Sequence, residues 1–543
     1  MISQREAGLA RLRARTFDVL IVGGGIVGAG IARDAAMRGL SVALVEQGDF
    51  GSGTSSKTSK LIHGGLRYLE HGHLRLVFES LRERGVLRAI APGLVHPLTL
   101  LLPVYAGDRR PVWKIRAGLW LYDWLAWGRN VRPHDLLSAR RAVAREPGLR
   151  LDGLRAAGLY ADCQMDDARV CLANILQAVS LGAACANYVR LRALLTAGHR
   201  VCGGAVEDGL TGRTFEIQAR VVVNAAGPWA DGVRQMSVAG VPARLAPTKG
   251  IHLVLPRVAR QALFVQGRAD ARMLFILPWG DYSLAGTTEG PVDQPLDALA
   301  AGADEAGYLL ESVNRVLPGL HLDADDVIAT FAGARPLLAF AGAATSASRE
   351  HAIEVDRGGL VSVLGGKFTT YRRMAEDAVD LLAARLRVSA EGCLTDQVSL
   401  LEPLEPAALA HWQDLTRGVE PELLARLLVR YGVGALHVLR LIDREPSLAQ
   451  PVCPHHDYLE AELAHALTQE LACTVTDVLA RRTRIAWSSC QGLDALSTVT
   501  QLCQRYGGLA GASVEPQVEA YRRFLAQGLA FRGGSVRAPA ALA

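Results

Sequence analysis

From Phe17 to Glu46 the apolar positions follow two rhythms in turn. Val19 to Val22 form an unbroken apolar run and a second such run ends at Glu46; short apolar runs bounded by turn residues read as buried strands. Between them, after Gly23-Gly24-Gly25-Ile26-Val27-Gly28, the pattern is helical. The order strand, turn, helix, strand is the opening of a parallel α/β unit.

The same reading carries down the chain. Residues 74–90 have helical periodicity with a basic face, and Pro92, Pro97 and Pro103 then break the chain into extended pieces. Residues 112–127 form a helix carrying four tryptophans. A helix from Ala168 to Leu181 precedes short strands around Ala184–Leu191 and Val201–Glu207, a strand to Gln218, and a buried run, Arg220–Asn224, that ends in Gly227-Pro228. Residues 241–290 alternate β-type segments, and Leu360–Tyr371 reads as strand and turn leading into a helix, Arg372–Leu386. Beyond about residue 395 the strand signals stop, and segments 419–443, 457–484 and 514–530 read as a separate domain of four to six helices.

The expected architecture is α/β: a Rossmann-like nucleotide-binding domain with an inserted mixed-sheet substrate lobe, followed by an all-helical C-terminal domain. The first two share residues 1–395, with about 17–75, 155–235 and 350–390 in the nucleotide-binding part and about 76–154 and 236–349 in the lobe; residues 396–543 form the third.

Composition narrows the function classes. A formal net charge of +5 on 543 residues argues against nucleic-acid binding as the main activity, while a pI near 8.7 does not repel anionic lipid or an anionic substrate. The nine cysteines are scattered without a C-x-x-C pair, which points to reduced thiols in a cytosolic protein. Arg5, Arg11, Arg13 and Arg15 precede the first strand without the apolar segment of a secretory signal, and no run is long and apolar enough to span a membrane. In the tryptophan helix Arg116 and Asp123 share a face but Lys114 lies nearly opposite. Such a helix suits a membrane interface, and packing beneath a substrate lobe accounts for it equally well.

Candidate chemistry begins at the glycines. Gly23, Gly25 and Gly28 have the G-x-G-x-x-G spacing, in which the first glycine permits a tight turn, the second close approach to a pyrophosphate, and the third close packing of helix on strand. Glu46, at the end of the next strand, suits a ribose hydroxyl pair and disfavours NADP, leaving FAD and NAD open. A loop rich in glycine, serine and threonine, Gly51–Lys60, leads into His63-Gly64-Gly65-Leu66-Arg67-Tyr68. Gly365-Gly366-Lys367-Phe368-Thr369-Thr370 opens a helix and presents N–H groups, a lysine and hydroxyls to negative charge, although its glycine spacing is not that of a P-loop. Cys453-Pro454-His455-His456, with His465 nearby, lacks paired ligand spacing, so no metal is expected.

Taken together, IVGGGIVGAGIARDAAMRGLSVALVEQGDF, SSKTSKLIHGGLRYLE, YADCQMDDARV, VNAAGPWADGV, FAGARPL and GGKFTTYRRMAEDA closely resemble the flavin-dependent, respiratory glycerol-3-phosphate dehydrogenases. The resemblance implies FAD as cofactor, oxidation of sn-glycerol 3-phosphate to dihydroxyacetone phosphate, electron transfer to a membrane quinone, and peripheral attachment to the cytoplasmic face of the membrane. It implies that Gly23, Gly25, Gly28 and Glu46 hold the ADP part of FAD, and that Thr54, Ser55, Ser56 and Lys60 line its path. Gly64, Gly65, Gly227, Gly365, Gly366, Lys367 and Thr369 then close around it. Arg67, Tyr68, Arg335, Arg349 and Lys367 would surround the substrate.

The chemistry asks for a similar set. A phosphate dianion calls for at least two cations, preferably arginines, and Arg335, set among small and apolar residues, is poorly suited to be a solubilising charge. His63 and His252 are the candidate bases, with Lys367 as an alternative stabiliser of an alkoxide. Against the family pattern, Glu289 stands where an aspartate is usual and Ile251 where a small residue is usual. Three other readings remain: a glycerol-3-phosphate oxidase using oxygen; an amine or amino-acid oxidase of the same fold, which leaves the several cations unexplained; and a flavin-binding scaffold or tRNA-modification partner without turnover. Whether the chain forms a homodimer is open.

Overall fold

The computed structural model describes residues 3–267, 272–339, 350–388, 391–403, 413–416, 418–507 and 514–533. Phe17–Val22 lies inside a sheet of order His351–Val355, Val361–Gly365, Thr214–Asn224, Phe17–Val22, Val42–Val45, Ala184–Ala186. It pairs in parallel with Val42–Val45 and with Thr214–Asn224, as Val19 opposite Val42 and opposite Val221. Beyond the half-buried Asp18, Val19–Val22 are apolar without alternation because both faces are covered. Helices Ile26–Met37, Asp167–Ser180 and Tyr371–Leu386 share one hydrophobic cluster with Val19 and Ile21, while Leu20 and Val22 pack on the other side with Leu9 and Leu12.

Leu9 and Leu12 belong to a helix, Gln4–Ala14, that the run of arginines concealed. Ser3 and Glu6 form a capping box that starts it, and Arg5 is buried, its guanidinium 2.6 Å from Asp208.

The second sheet has the order Gly290–Pro291, Thr248–Pro256, Tyr282–Gly286, Met273–Trp279, Ala262–Gln266, Val95–Tyr105, Leu154–Met165, Leu61–Ile62, with Ala329–Arg335 also paired to Thr248–Pro256. Two features depart from the sequence expectation. Pro97 and Pro103 do not divide Val95–Tyr105, which is one continuous strand. Leu154–Met165, expected with the nucleotide-binding segments, pairs along the length of Val95–Tyr105 in the second sheet. The partner Ala262–Gln266 engages only Leu100 and Leu101 on the other side of that strand, so little pairing is asked of its ends. The two sheets meet where Leu61–Ile62 follows directly from the nucleotide-binding loop.

The C-terminal helices, among them Pro421–Tyr431, Ala435–Arg444, Glu460–Gln469, Leu496–Tyr506 and Glu515–Gly528, enclose a hydrophobic cluster of their own. They dock on the nucleotide-binding domain through buried ion pairs: Asp49 with Arg481 at 2.6 Å and Arg482 at 2.7 Å, and Arg169 with Glu470 at 2.8 Å.

Candidate active site

A cavity of about 980 Å³ runs from the glycine turn at Gly23 and Gly25, past the loop 51–59, to the second sheet and the turn at Gly365–Thr369. Its first end is shaped by absent side chains. Gly23 has φ of +111°, and a Cβ on Gly28 would collide with the Gly23 carbonyl oxygen, so the helix can approach the strand only without one. Ser55 Oγ accepts the Ile26 N–H at 2.9 Å, at the helix terminus that faces the cavity. Glu46, on the wall, accepts the N–H groups of Gly24 at 2.7 Å and Gly48 at 2.8 Å. Burial pushes its carboxyl upward while those N–H groups pull it down, and a carboxylate with two such bonds retains lone pairs for a ribose.

Thr54, Ser56, Gly65 and Gly227 line the cavity, and Thr54 Oγ1 donates to the Ala334 carbonyl at 2.6 Å, tying the loop to the second sheet. Lys60 does not line it: its ammonium is buried against Asp167 at 2.6 Å and the Ser56 carbonyl at 2.6 Å, so it secures the loop from behind. Gly64 likewise sits behind the wall, its N–H donating to the Tyr122 hydroxyl at 2.9 Å. The loop's cation on the wall is Lys57, whose pKa is lowered to about 8 by burial and by Arg481, against the pull of Asp297. Nothing in the composition of Gly51–Lys60 separates Lys57 from the polar residues around it.

At the far end the cavity brings together His63, Arg67, Tyr68, His252, Arg335 and Lys367. Arg335, at the end of its strand, donates to Thr287 Oγ1 at 2.8 Å and to the Thr288 carbonyl at 3.0 Å. Lys367 donates to Ser80 Oγ at 2.9 Å and lies 4.6 Å from the centre of the Tyr68 ring. Arg67 is 3.9 Å from Glu289, so the departure from aspartate noted above lies at the cationic end. Gly366 has φ of +90°, and a Cβ there would strike Met374; the turn holds the Thr369 hydroxyl 3.4 Å from the His63 backbone N–H. Arg349 lies outside the described residues.

The two histidines differ. His252 is 3% exposed, stacks on Phe331 at 5.0 Å, and shares a 2.8 Å hydrogen bond between Nε2 and Ser59 Oγ, while its Nδ1 is buried without a partner. Burial, then Arg335 and Lys60, hold its pKa well below the usual value, so it is neutral across the physiological range. His63 is half-buried, its ring edge-on to Phe275 at 6.0 Å.

The helical domain also supplies wall: Arg481, Trp487, Gln491 and the end of helix Glu515–Gly528 line the cavity. No local pattern marks these positions, because docking alone brings them there.

Comparison with known proteins fits this geometry. Residues 18–372 match the family described as FAD dependent oxidoreductase, and residues 393–512 match the C-terminal domain of alpha-glycerophosphate oxidase. Glycerol-3-phosphate dehydrogenase 2 of Mycobacterium tuberculosis is 38% identical over 531 residues, covering 96% of this chain and 90% of that protein. The chain belongs to the FAD-dependent glycerol-3-phosphate dehydrogenase family. The mitochondrial glycerol-3-phosphate dehydrogenase of Bos taurus is 35% identical over 98% of this chain and 76% of its own length. The solved glycerol-3-phosphate dehydrogenase from Bacillus halodurans, complexed with FAD, superposes with a TM-score of 0.81 at 28% identity, over 99% of this chain and all of that one.

FAD is the cofactor of this family, and the cavity suits it. The glycine cradle beside a helix N-terminus matches a pyrophosphate, Glu46 matches a ribose, and the elongated wall continues to the turn at Gly365–Thr369.

Proposed function

We propose that this dehydrogenase oxidises sn-glycerol 3-phosphate to dihydroxyacetone phosphate and passes the electrons to a membrane quinone while attached peripherally to the cytoplasmic face of the membrane. The observation that carries the reading is the convergence of Arg67, Arg335 and Lys367 on one end of a flavin-sized cavity, beside a histidine. When bound, FAD supplies a two-electron acceptor for the hydride leaving the substrate's secondary carbon.

The chain's own part is position and charge. Arg335 offers its guanidinium fork to the phosphate dianion, already oriented by Thr287 and Thr288, and Arg67 and Lys367 add charge around it. A clamp of this kind holds the carbinol carbon in one place and spends binding energy on orientation. The hydroxyl proton passes to the imidazole of His63. His252 is the poorer acceptor, because a proton on it would be buried beside Arg335 and Lys60 and its Nε2 is engaged by Ser59.

Anaerobic addition of sn-glycerol 3-phosphate tests the reaction. Bleaching of the flavin is expected; no bleaching at any concentration, or bleaching by glycine or sarcosine alone, overturns the reading. His63→Asn is expected to slow bleaching far more than His252→Asn, and the reverse order exchanges their roles.

The membrane part rests on one surface. Trp113, Trp120, Trp124 and Trp127 of the segment 112–127 are between 54% and 71% exposed, and Leu74 and Phe78 of the adjacent helix Leu74–Ile90 are also exposed. Arg75, Arg82 and Arg116 are exposed on the same two helices. Apolar anchors with basic neighbours favour the interface of an anionic bilayer. No helix among the described residues is long and apolar enough to cross a membrane. Trp120→Glu with Trp124→Glu is expected to abolish sedimentation with anionic vesicles while leaving substrate bleaching intact. Undiminished sedimentation removes the surface from the proposal, and turnover with oxygen in preference to quinone makes the protein an oxidase.

A further inference from the structure

The sequence around Cys453 shows no paired metal-ligand spacing because the partner thiol comes from far along the chain. Cys453 and His456, three apart on a turn, meet Cys490, and the two sulfurs and an imidazole nitrogen all lie within 4.8 Å of one another. His465, nearby in sequence, is not part of this group; its Nδ1 lies 3.0 Å from that of His437. We propose that Cys453, His456 and Cys490 bind a zinc-class divalent cation.

The distances suit one ion. Bonds of about 2.3 Å to sulfur and about 2.0–2.1 Å to nitrogen at tetrahedral angles separate the two atoms by about 3.6 Å. Cys490 Sγ and His456 Nε2 are 3.6 Å apart. Both sulfurs are already served by backbone donors: Gly492 N–H lies 3.4 Å from Cys490 Sγ, and the His455 backbone hydrogen-bonds Cys453. Such N–H groups stabilise thiolates and orient them, as outer-shell partners do in metal sites. Ser488 Oγ stands 2.9 Å from His456 Nε2 and 3.3 Å from Cys490 Sγ, so ligation exchanges the serine–histidine hydrogen bond for a metal bond.

Two thiolates with an imidazole select a borderline-soft ion over magnesium or calcium. On binding, each thiol releases its proton to solvent, two sulfur–metal bonds and one nitrogen–metal bond form, and water fills the fourth position. No oxidation state changes.

The consequence reaches the active-site wall. Segment 488–494 bonds to the second sheet through Ser489 N–H and the Tyr282 hydroxyl at 3.1 Å, and it carries Gln491, which lines the cavity and donates to the Ile328 carbonyl at 2.9 Å. An ion clasping Cys490 to the turn at Cys453 braces that segment to a residue 34 positions earlier in the chain, His456.

The test uses the FAD-loaded full chain, stripped with a chelator under reductant, incubated with zinc and freed of excess. One tightly held zinc per chain is expected in the wild type and in Cys202→Ser, with loss in Cys453→Ser and Cys490→Ser, each checked for retained flavin. A wild type that holds no zinc, or a Cys490→Ser variant that holds as much, overturns the proposal. Should the variants fail to retain flavin, cobalt on the wild type decides: tetrahedral d–d bands to the red of the flavin absorption support the site, and an octahedral cobalt spectrum overturns it. Thiol titration of the chain denatured with a chelator but without reductant should find all nine cysteines; a deficit of two traced to a Cys453–Cys490 disulfide also overturns it.

Discussion

Replacing Asp49 with asparagine probes the joint on which the cavity depends. The carboxylate of Asp49 accepts from Arg481 Nε at 2.6 Å, Arg482 Nη1 at 2.7 Å, Arg482 Nη2 at 2.9 Å and Asn187 Nδ2 at 3.0 Å, fully buried. Asp49→Asn keeps the size but turns one acceptor oxygen into a donor that faces the guanidinium groups. At least two charge-assisted bonds are lost, at about 1.5–3 kcal/mol each. The result agrees with the about 3–5 kcal/mol cost of breaking a buried pair by removing one partner. A loss of that size shifts the docking equilibrium of the helical domain by about two to four orders of magnitude.

The assay is urea denaturation of the flavin-loaded chain, followed by flavin release and far-ultraviolet circular dichroism. Flavin should leave at lower urea in the variant, since Arg481 lines the cavity and Asp49 follows Glu46 on the same loop. The two guanidinium groups hold the folded pKa of Asp49 below its ordinary value, against its burial. Its contribution is therefore complete above the unfolded carboxylate value of about 3.9 and is lost as pH falls through that value toward the folded one. The gap between wild type and variant should be full at about pH 7 and narrow below about pH 4. A gap under about 0.5 kcal/mol near neutral pH, within the range of an ordinary surface change, refutes the reasoning. So does a gap that ignores acid.

Three further outcomes are expected. Arg335→Ala should raise KM and lower kcat together, with kcat/KM falling about 10- to 100-fold for the loss of about 1.5–3 kcal/mol of charge-assisted bonding; an unchanged kcat/KM takes Arg335 out of the site. Gly28→Val should leave the chain without bound flavin at purification, because any Cβ meets the Gly23 carbonyl; a fully loaded variant contradicts the cradle. Lys57, with a pKa lowered to about 8, should lose its charge as pH rises through that value, so flavin affinity measured by fluorescence titration should weaken there in wild type and hold in Lys57→Arg. An affinity independent of pH in both would show that Lys57 does not contribute.

Much of the molecule is written locally. Strand, glycine turn, helix and acidic strand end are each dictated by short-range rules of periodicity and steric allowance, so Gly23, Gly25, Gly28 and Glu46 stand where the pattern puts them. The helical tail was equally legible from the loss of strand signals. His63, Arg67, Tyr68, His252, Arg335 and Lys367, read as one site from separate motifs, share one cavity end.

Tertiary structure decided the rest, because burial and partnership between distant residues leave no periodic trace. Lys60 and Lys57 are three apart in one polar loop, and only the position of Asp167 sends the first behind the wall and leaves the second facing the cavity. The two candidate histidines look alike in sequence; packing against Phe331 beside two cations is what keeps His252 neutral. Pro97 and Pro103 read as breaks, yet Leu154–Met165 pairs with the strand that contains them. Cys490 meets His456 only because the helical domain closes on itself. A sequence specifies which residues can do chemistry; desolvation and long-range pairing, set by the fold, specify which of them do.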